Sequence, residues 1–290
     1  MQSLNISTSA LRAVQQVIDV TSNNIANVNT VGFKGSSADF SELLSDTMNK
    51  QPVKDQENRN TPEGISIGSG VKMGMTRMNQ KQGGAMTTGV PTDLMIEGDG
   101  MFIVRKQAMD ENGQVVFRNG RPVEEYYATR NGNFHLQKNE NERYNLLTAT
   151  GETLVDAYGI EIDIDIDIDI DDPQGGQITV NEQGGIFVNG ESVSVSDIPL
   201  FKITNQDRYE RVGQNNLRIT NNPDDLIGMT QVDYAEGEGK LHQGMLETSN
   251  VELNQEMTQL MLAQRAYQFN ARALSITDQM MSTANMLRSR

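Results

Sequence analysis

The feature that most restricts what this chain can fold into is a heptad seam near its C-terminal end. Leu253, Met257, Leu260, Gln264, Tyr267, Ala271, Leu274, Asp278 and Met281 follow one another at alternating gaps of 4 and 3 residues. That spacing holds one stripe on a single side of an α-helix for about four heptads. A helix with so narrow an apolar stripe gains little from its own backbone and owes most of its stability to whatever packs on it. Gln264 and Asp278 interrupt the seam, which lowers stability but can fix register. The N-terminal end carries a similar stripe. Leu4, Leu11, Val14, Ile18, Thr21, Ile25 and Val28 recur mainly every 3 or 4 residues, with Arg12, Gln15, Gln16, Asp19 and Ser22 on other faces. Ser7 or Ser9 could cap its start.

Each stripe could be ordinary core, packed against the chain's own body. Placement favours another use, because two seams at opposite ends of a long chain are suited to pairing with each other or with other subunits. The middle is different in kind. All seven prolines fall between Pro52 and Pro223, and proline interrupts helices. Turn signals recur there at Asn112-Gly113, Asn119-Gly120, Asn131-Gly132 and Asn189-Gly190, pairs that supply the positive φ angles of tight hairpins. Short β-type runs lie among them, such as Met101–Val104, Val115–Phe117 and Gly185–Val188. The expected fold class is α+β, with paired, coiled-coil-like N- and C-terminal α-helices flanking a central β-rich domain of meanders or a partial barrel. Residues 1–45 with 246–290 are expected to form a discontinuous helical assembly domain. Residues 46–90 would be an extended or poorly ordered connector, whose Met73, Met75, Met78 and Met86 could adapt to a neighbouring surface. Residues 91–245 would be a β-rich outer domain.

Charge divides along the same lines. The formal net charge is −15, and residues 151–240 carry 19 acidic against 5 basic side chains, so the ends are nearly balanced. This acidity excludes a nucleic-acid binder, which needs a basic stripe to displace phosphate counterions. Within the acidic middle lies an insert around residues 161–172, Glu161 to Asp172. A strand there puts Ile160, Ile162, Ile164, Ile166, Ile168 and Ile170 on one face and Glu161, Asp163, Asp165, Asp167, Asp169 and Asp171 on the other. The favoured reading is an acidic surface strand with a buried Ile face and a solvated Asp face. Two alternatives are a divalent-cation site and an acidic ribbon that discourages edge-to-edge strand pairing. The cation reading is the weaker, because an extended strand cannot converge six oxygens on one ion.

Candidates for chemistry are scarce. Cys is absent, so there is no thiolate ligand or thiol nucleophile, and the two histidines, His135 and His242, have no second His at metal-ligand spacing. His135 is expected in a strand and His242 near the start of the C-terminal helical region. The pairs Gly68/Gly70, Gly98/Gly100 and Gly237/Gly239 lack the third glycine of a dinucleotide loop, and no Walker loop or GxSxG elbow occurs. No catalytic residue, metal ligand or cofactor is expected. No apolar run reaches the length of a membrane span, and the first ten residues do not have the basic and apolar regions of a cleaved secretory signal.

Several segments resemble one family. Residues 22–34, Ser-Asn-Asn-Ile-Ala-Asn-Val-Asn-Thr-Val-Gly-Phe-Lys, resemble the N-terminal signature of bacterial flagellar rod and hook proteins. Residues 94–104 (LMIEGDGMFIV), the stretch Tyr127 to Phe134 with Leu147 to Gly151, and residues 246–287 (from LETSNVEL through AQRAYQFNARALSITDQMM) are similar to further segments of that family, in the expected order. The resemblance implies an axial structural protein. Its end helices would pair into an inner layer around a channel, and its β-domain would lie outside. Subunits would stack head-to-tail into a tube that transmits torque. Leu4, Leu11, Val14, Ile18, Ile25 and Val28 of the first helix and Leu253, Met257, Leu260, Tyr267, Leu274 and Met281 of the last would pack subunits. The motif residues Asn23, Asn24, Asn27, Asn29, Gly32, Phe33 and Lys34 would end the first helix, with Phe33 and Lys34 anchoring the chain where it leaves the inner layer. Partners would be further copies of the chain, adjacent rod and hook proteins, and the flagellar type III export apparatus, giving an extracytoplasmic place without a cleaved signal. The acidic insert is not part of that resemblance. Within the resembled family the alternatives are a proximal rod protein and a short hook protein; a different class of protein, a secreted cation- or carbohydrate-binding β-protein, is the alternative that the Asp ladder prompts.

Overall fold

Strand Phe102–Gln107 shows how the central region closes on itself. Successive side chains on a strand point to opposite faces. Phe102 and Val104 enter one apolar core, with Leu94, Ile96, Tyr127, Phe134 and Leu154. Met101 and Ile103 enter a second, with Tyr126, Ala128, Phe201 and Leu217. A continuous apolar run such as Phe102-Ile103-Val104 is what a strand covered on both faces requires. In the computed structural model, residues 2–42, 45–48, 65–68, 70–108, 114–118, 121–139, 142–164, 178–188, 191–192, 197–203, 209–213, 215–220, 231–234 and 237–288 are described.

The architecture is α+β, with helix α1 (Gln2–Ala26) at one end of the chain, helix α2 (Leu253–Arg288) at the other, and strands between. The chain forms two compact units. A helical unit holds residues 1–26, 36–77 and 252–290, and a β unit holds 27–35 and 78–251. Lys34 and residues 246–251, which the sequence groups with the helical ends, therefore belong to the β unit.

The β unit is built on an eight-stranded sheet. Its path runs Phe134–Lys138, Tyr144–Thr148, Thr153–Leu154, Phe102–Gln107, Glu124–Thr129, Leu217–Thr220 and Glu210–Arg211, and Asp163–Ile164 also pairs with Tyr144–Thr148. The central pairing is antiparallel, with Val104 opposite Tyr127 and Phe102 opposite Thr129. Strand Leu94–Gly98 pairs separately with Gly239–Gln243, and Ala85–Thr87 with Met245–Glu247. His242 thus lies in a strand, where the sequence placed it near the helical region. Its neighbour Leu241 turns into the core opposite Ile96, so the alternation of a strand governs this stretch. His135 is on strand Phe134–Lys138, as expected.

In the helical unit, α1 and α2 pack on each other. Strand Ser36–Glu42 pairs with Val71–Met78, and Ser45–Met48 runs antiparallel to Ile65–Gly68. Within 46–90 the described residues include strands at 46–48, Ile65–Gly68, Val71–Met78 and Ala85–Thr87, with residues 70, 79–84 and 88–90 outside any strand. Met75 and Met86 are exposed, whereas Met78 packs on the second core of the β unit, to which it belongs.

On α1 the most buried side chains are Ala13, Thr21 and Asn24. Leu11, Val14, Ile18 and Ile25 of this helix are half-buried, and Val28, which follows it in the β unit, is half-buried as well. Leu4 is in the helix, but its side chain lies outside the described residues. On α2 the sheltered column differs from the expected one. Leu260, Ala271, Leu274 and Met281 are sheltered, while Leu253, Met257, Gln264, Tyr267 and Asp278 are exposed. Glu256, Ala263, Asn270 and Thr277, each one residue before 257, 264, 271 and 278, and Ala266 complete the sheltered face. Small Ala263 and Ala13 are both nearly fully buried, which fits a close helix approach better than a row of long side chains would.

Of the acidic insert, only its start is described. Ile162 and Ile164 are fully buried in the first core, as the alternation requires. Ile160 is exposed, because its amide bonds Asp156 Oδ1 at 2.9 Å in the preceding turn. Asp165, Asp167, Asp169 and Asp171 lie outside the described residues.

Candidate functional site

The signature after α1 is ordered by its polar side chains. Asn24, near the helix end, donates from Nδ2 to the Ser36 carbonyl at 2.8 Å and accepts the Ser36 amide at 2.9 Å, which closes the excursion of residues 27–35. Asn side chains bond backbone groups readily and so end helices. The Asn27 carbonyl and side chain then take the Thr30 amide and hydroxyl at 3.1 and 3.2 Å. Asn23 and Asn29 are exposed. Gly32 follows with φ +66°, and a Cβ there would meet the Arg130 carbonyl carbon and oxygen at 2.7 Å. Glycine is therefore required both for its backbone angle and for space.

Phe33 and Lys34 are buried, and Lys34 reaches the residues that make this a site. Its Nζ donates to Glu247 Oε1 at 2.6 Å and to the Lys81 carbonyl at 2.8 Å. The second carboxylate oxygen of Glu247 accepts Arg130 Nη1 at 3.2 Å, and Arg130 Nη2 donates to the Gly98 carbonyl at 2.7 Å. The Gly83 amide also donates to Glu247 Oε1, at 2.8 Å. Glu247 is 1% exposed, Lys34 7% and Arg130 8%. Two cations thus share one buried carboxylate. Burial pushes the Lys34 amine below its ordinary value, the bond and attraction to Glu247 oppose that shift, and the charge of Arg130 adds to it. Asn250 finishes the arrangement. Its side chain accepts the Gly35 amide at 2.8 Å and donates to the carbonyls of Asn79 and Lys81 at 2.8 and 2.7 Å.

Three stretches that are remote in sequence, around residues 34, 130 and 247, are therefore bound through a single side chain. Lys34 was legible as an anchor, but Arg130 and Glu247 were not singled out. The available signal was that both lie inside segments sharing the same family resemblance.

A second polar cluster fixes the start of the acidic insert. Arg105 Nη1 donates to Glu124 at 2.9 Å, its Nη2 pairs with Glu161, and Asn145 also donates to Glu161 at 2.9 Å. Arg143 faces Asp163 at 3.6 Å. The acidic face is thus partly neutralised where it leaves the core, which differs from a fully solvated ladder. Tyr126 donates to Glu124, and burial followed by that bond raises its hydroxyl to about 12. Among the described residues, no group of three or more His, Cys, Asp or Glu side chains could hold a metal ion, and no helix is long and apolar enough to cross a membrane.

The family models classify both ends of the chain as flagellar. One described as flagella basal body rod protein matches residues 4–34, ending on Lys34. Another, described as flagellar basal body rod FlgEFG protein C-terminal, matches residues 242–287, a span that contains Glu247. Among curated relatives, the chain is 30% identical to the flagellar basal-body rod protein FlgG of Borreliella burgdorferi, over 99% of both chains. It is 31% identical to FlgG of Caulobacter vibrioides over the whole of both. It is 27% identical to the flagellar hook-basal body complex protein FlhP of Bacillus subtilis, over 99% of this chain and 100% of that one. The chain belongs to the flagellar basal-body rod protein family and is a structural component of the basal-body rod.

Proposed function

We propose that the chain is a distal rod subunit that stacks head-to-tail on copies of itself, forming a helical tube that transmits torque from motor to hook. The observation that carries this reading is the state of α2 in a single chain. Thirty-six residues of helix present Met257, Met261, Leu262, Phe269, Ile276, Met280, Met286 and Leu287 to solvent. An apolar surface of that extent on one helix marks an interaction site. A contact between unlike surfaces whose rotation does not close generates a filament.

In this reading α1 and α2 pair in a coiled-coil-like inner layer. Leu4, Leu11, Val14, Ile18, Ile25 and Val28, with Leu253, Met257, Leu260, Tyr267, Leu274 and Met281, pack helices within and between subunits. Asn23, Asn27 and Asn29 serve the joint between copies, and the ion triad anchors Lys34. The role is structural and not enzymatic, in keeping with the names of the relatives. The chain leaves the cell through the flagellar type III apparatus without a cleaved signal and meets adjacent rod and hook proteins outside the cytoplasm. The acidic middle, with the insert at its surface, keeps the finished shaft soluble.

The test is electron microscopy of concentrated full-length protein, which should show tubes. Ile18→Asp and Leu260→Asp should each abolish them while leaving the near-ultraviolet dichroism of the β unit intact. Monodisperse particles under all conditions would refute self-assembly. Loss of the β-unit signal in the variants would show these side chains to be ordinary core.

A further inference from the structure

The buried ion triad of the β unit carries more positive than negative charge, and the surplus faces an enclosed space. Lys34 and Arg130 supply two cations and Glu247 one carboxylate, all more than nine-tenths buried. Among the described residues, Lys34 uses two of its three N–H donors, on Glu247 and the Lys81 carbonyl. Arg130 uses two of its five, on Glu247 and the Gly98 carbonyl. Carbonyls accept those donors but supply no counter-charge, and a buried charge is costly until an opposite one meets it. A cavity of about 230 Å³ is lined by both cations together with Lys202, Asp99, Met101 and Ile203, whereas Glu247 does not line it. The Lys202 and Asp99 side chains are 36% and 71% exposed, and Lys202 Nζ lies 3.2 Å from Glu238 and 3.7 Å from Asp99. Water and salt screen these outer charges, but screen the inner pair much less. The outer acids therefore leave the inner surplus standing.

We propose that this cavity binds a short aliphatic carboxylate, with its headgroup on Lys34 and Arg130 and its stem along Met101 and Ile203. The inference is independent of the self-assembly reading. Size narrows the ligand first. Pockets for drug-sized molecules begin at about 300 Å³, so the cavity is too small for a nucleotide but takes a carboxylate on a stem of about three carbons. Charge narrows it further. The surplus inside is a single positive charge, which one carboxylate cancels, whereas a phosphate dianion would bring a second negative charge toward Asp99. Ammonium and guanidinium donors bond an ionised acceptor more strongly than a neutral one. Met101 and Ile203 reward an apolar stem, which a bare inorganic anion does not have. The same headgroup is offered by a free short-chain acid and by a glutamate side chain in a peptide.

The test is magnetic resonance of full-length protein with isotopically labelled methionine methyls, kept too dilute to assemble. The Met101 signal is identified by its loss in Met101→Leu, a volume-conserving change that a core tolerates. Butyrate should move that signal saturably, with half-saturation on the order of 1–10 mM. Butyramide, its neutral counterpart, and chloride at the same ionic strength should leave it in place. N-acetylglutamic acid α-amide separates the two sources. A saturable shift assigns the site to a glutamate side chain, and none, beside a shift with butyrate, assigns it to free acids. Lys202→Met should weaken butyrate binding about 5-fold by removing a cation, and Asp99→Asn should tighten it about 3-fold by removing a like charge. Both side chains reach solvent, so the near-ultraviolet dichroism of each variant should match the parent. A Met101 signal that ignores butyrate, or moves equally with butyramide, would overturn the inference. So would tighter binding of inorganic phosphate, or one butyrate affinity shared by the parent and both variants.

Discussion

The two units of this chain use apolar side chains in opposite ways. In the β unit, Phe102, Ile103, Val104, Leu154, Phe201 and Tyr126 are buried to the last few per cent, and Phe102 meets Phe134 edge-on with ring centroids 5.3 Å apart. In the helical unit, α2 leaves Phe269, Met280 and Leu287 in water. The difference lies in closure. A two-faced sheet, with loops and further strands over both faces, completes its core within one chain. Two helices packed on each other can shelter only one stripe apiece. The lesson is that the β unit should behave as a finished domain and the helical unit as half of an interface.

The strongest way to break that contrast is to attack the closure of the β unit. Glu247→Leu leaves Lys34 and Arg130 buried without a counter-ion, and should cost about 3–5 kcal/mol in urea unfolding followed by tyrosine dichroism. Replacing the triad together, with Lys34→Met, Arg130→Met and Glu247→Leu, should recover most of that loss, since an apolar triad carries no desolvation penalty. A triple variant as unstable as the single one would show that the carboxylate matters for something other than charge.

A matched pair of aromatic truncations sharpens the comparison. Phe102→Ala should destabilise the β unit by about 3–5 kcal/mol. Phe269→Ala, in protein too dilute to assemble, should change stability by less than about 0.5 kcal/mol. Similar costs for the two would mean that α2 is covered within the single chain. Gly32→Ala is intermediate, with an expected loss of about 2–3 kcal/mol from backbone strain and collision with Arg130. A neutral result would show that the loop can move away from Arg130.

The smallest effect is that of pH. The folded state depresses the Lys34 amine, so between that lowered value and the ordinary one near 10.5 the unfolded chain binds more protons. Stability from this group therefore rises with pH across that window. Tyr126 acts oppositely. Its hydroxyl is held up to about 12, so the stability it contributes is present below 10 and is lost as pH rises through about 12. Lys34→Met should flatten the alkaline rise in urea midpoint, and an unchanged profile would contradict the buried-amine reading.

Much of the fold could be read from local pattern. Proline-free ends with 3- and 4-residue spacing became α1 and α2. Alternation placed Ile162 and Ile164 in the core, and dense Asn residues ended α1, with Asn24 bonding the backbone of Ser36. Local pattern had less to say where partners are distant. Glu247 lies 213 positions from Lys34 and 117 from Arg130, so no period or spacing links them. The phase of α2 was also only partly legible. Its residues support more than one heptad frame, and counting from Leu253 selects a frame containing Gln264 and Asp278. The frame beginning at Leu262 is less interrupted, and only the structure shows that its large side chains Leu262, Phe269, Ile276, Met280 and Leu287 are left open. Ile160 departs from its ladder because the Asp156 turn, not the strand, holds its amide.

The central claim is that the helical unit is completed by another copy while the β unit is complete alone. Amide hydrogen exchange below and above the assembly concentration tests it in one sample, with the Ile103 and Tyr126 amides as internal reference. Protection along Leu262 to Leu287 should rise on the order of 100-fold on assembly, while the reference amides stay unchanged. Equal protection of α2 in the two states would contradict the claim.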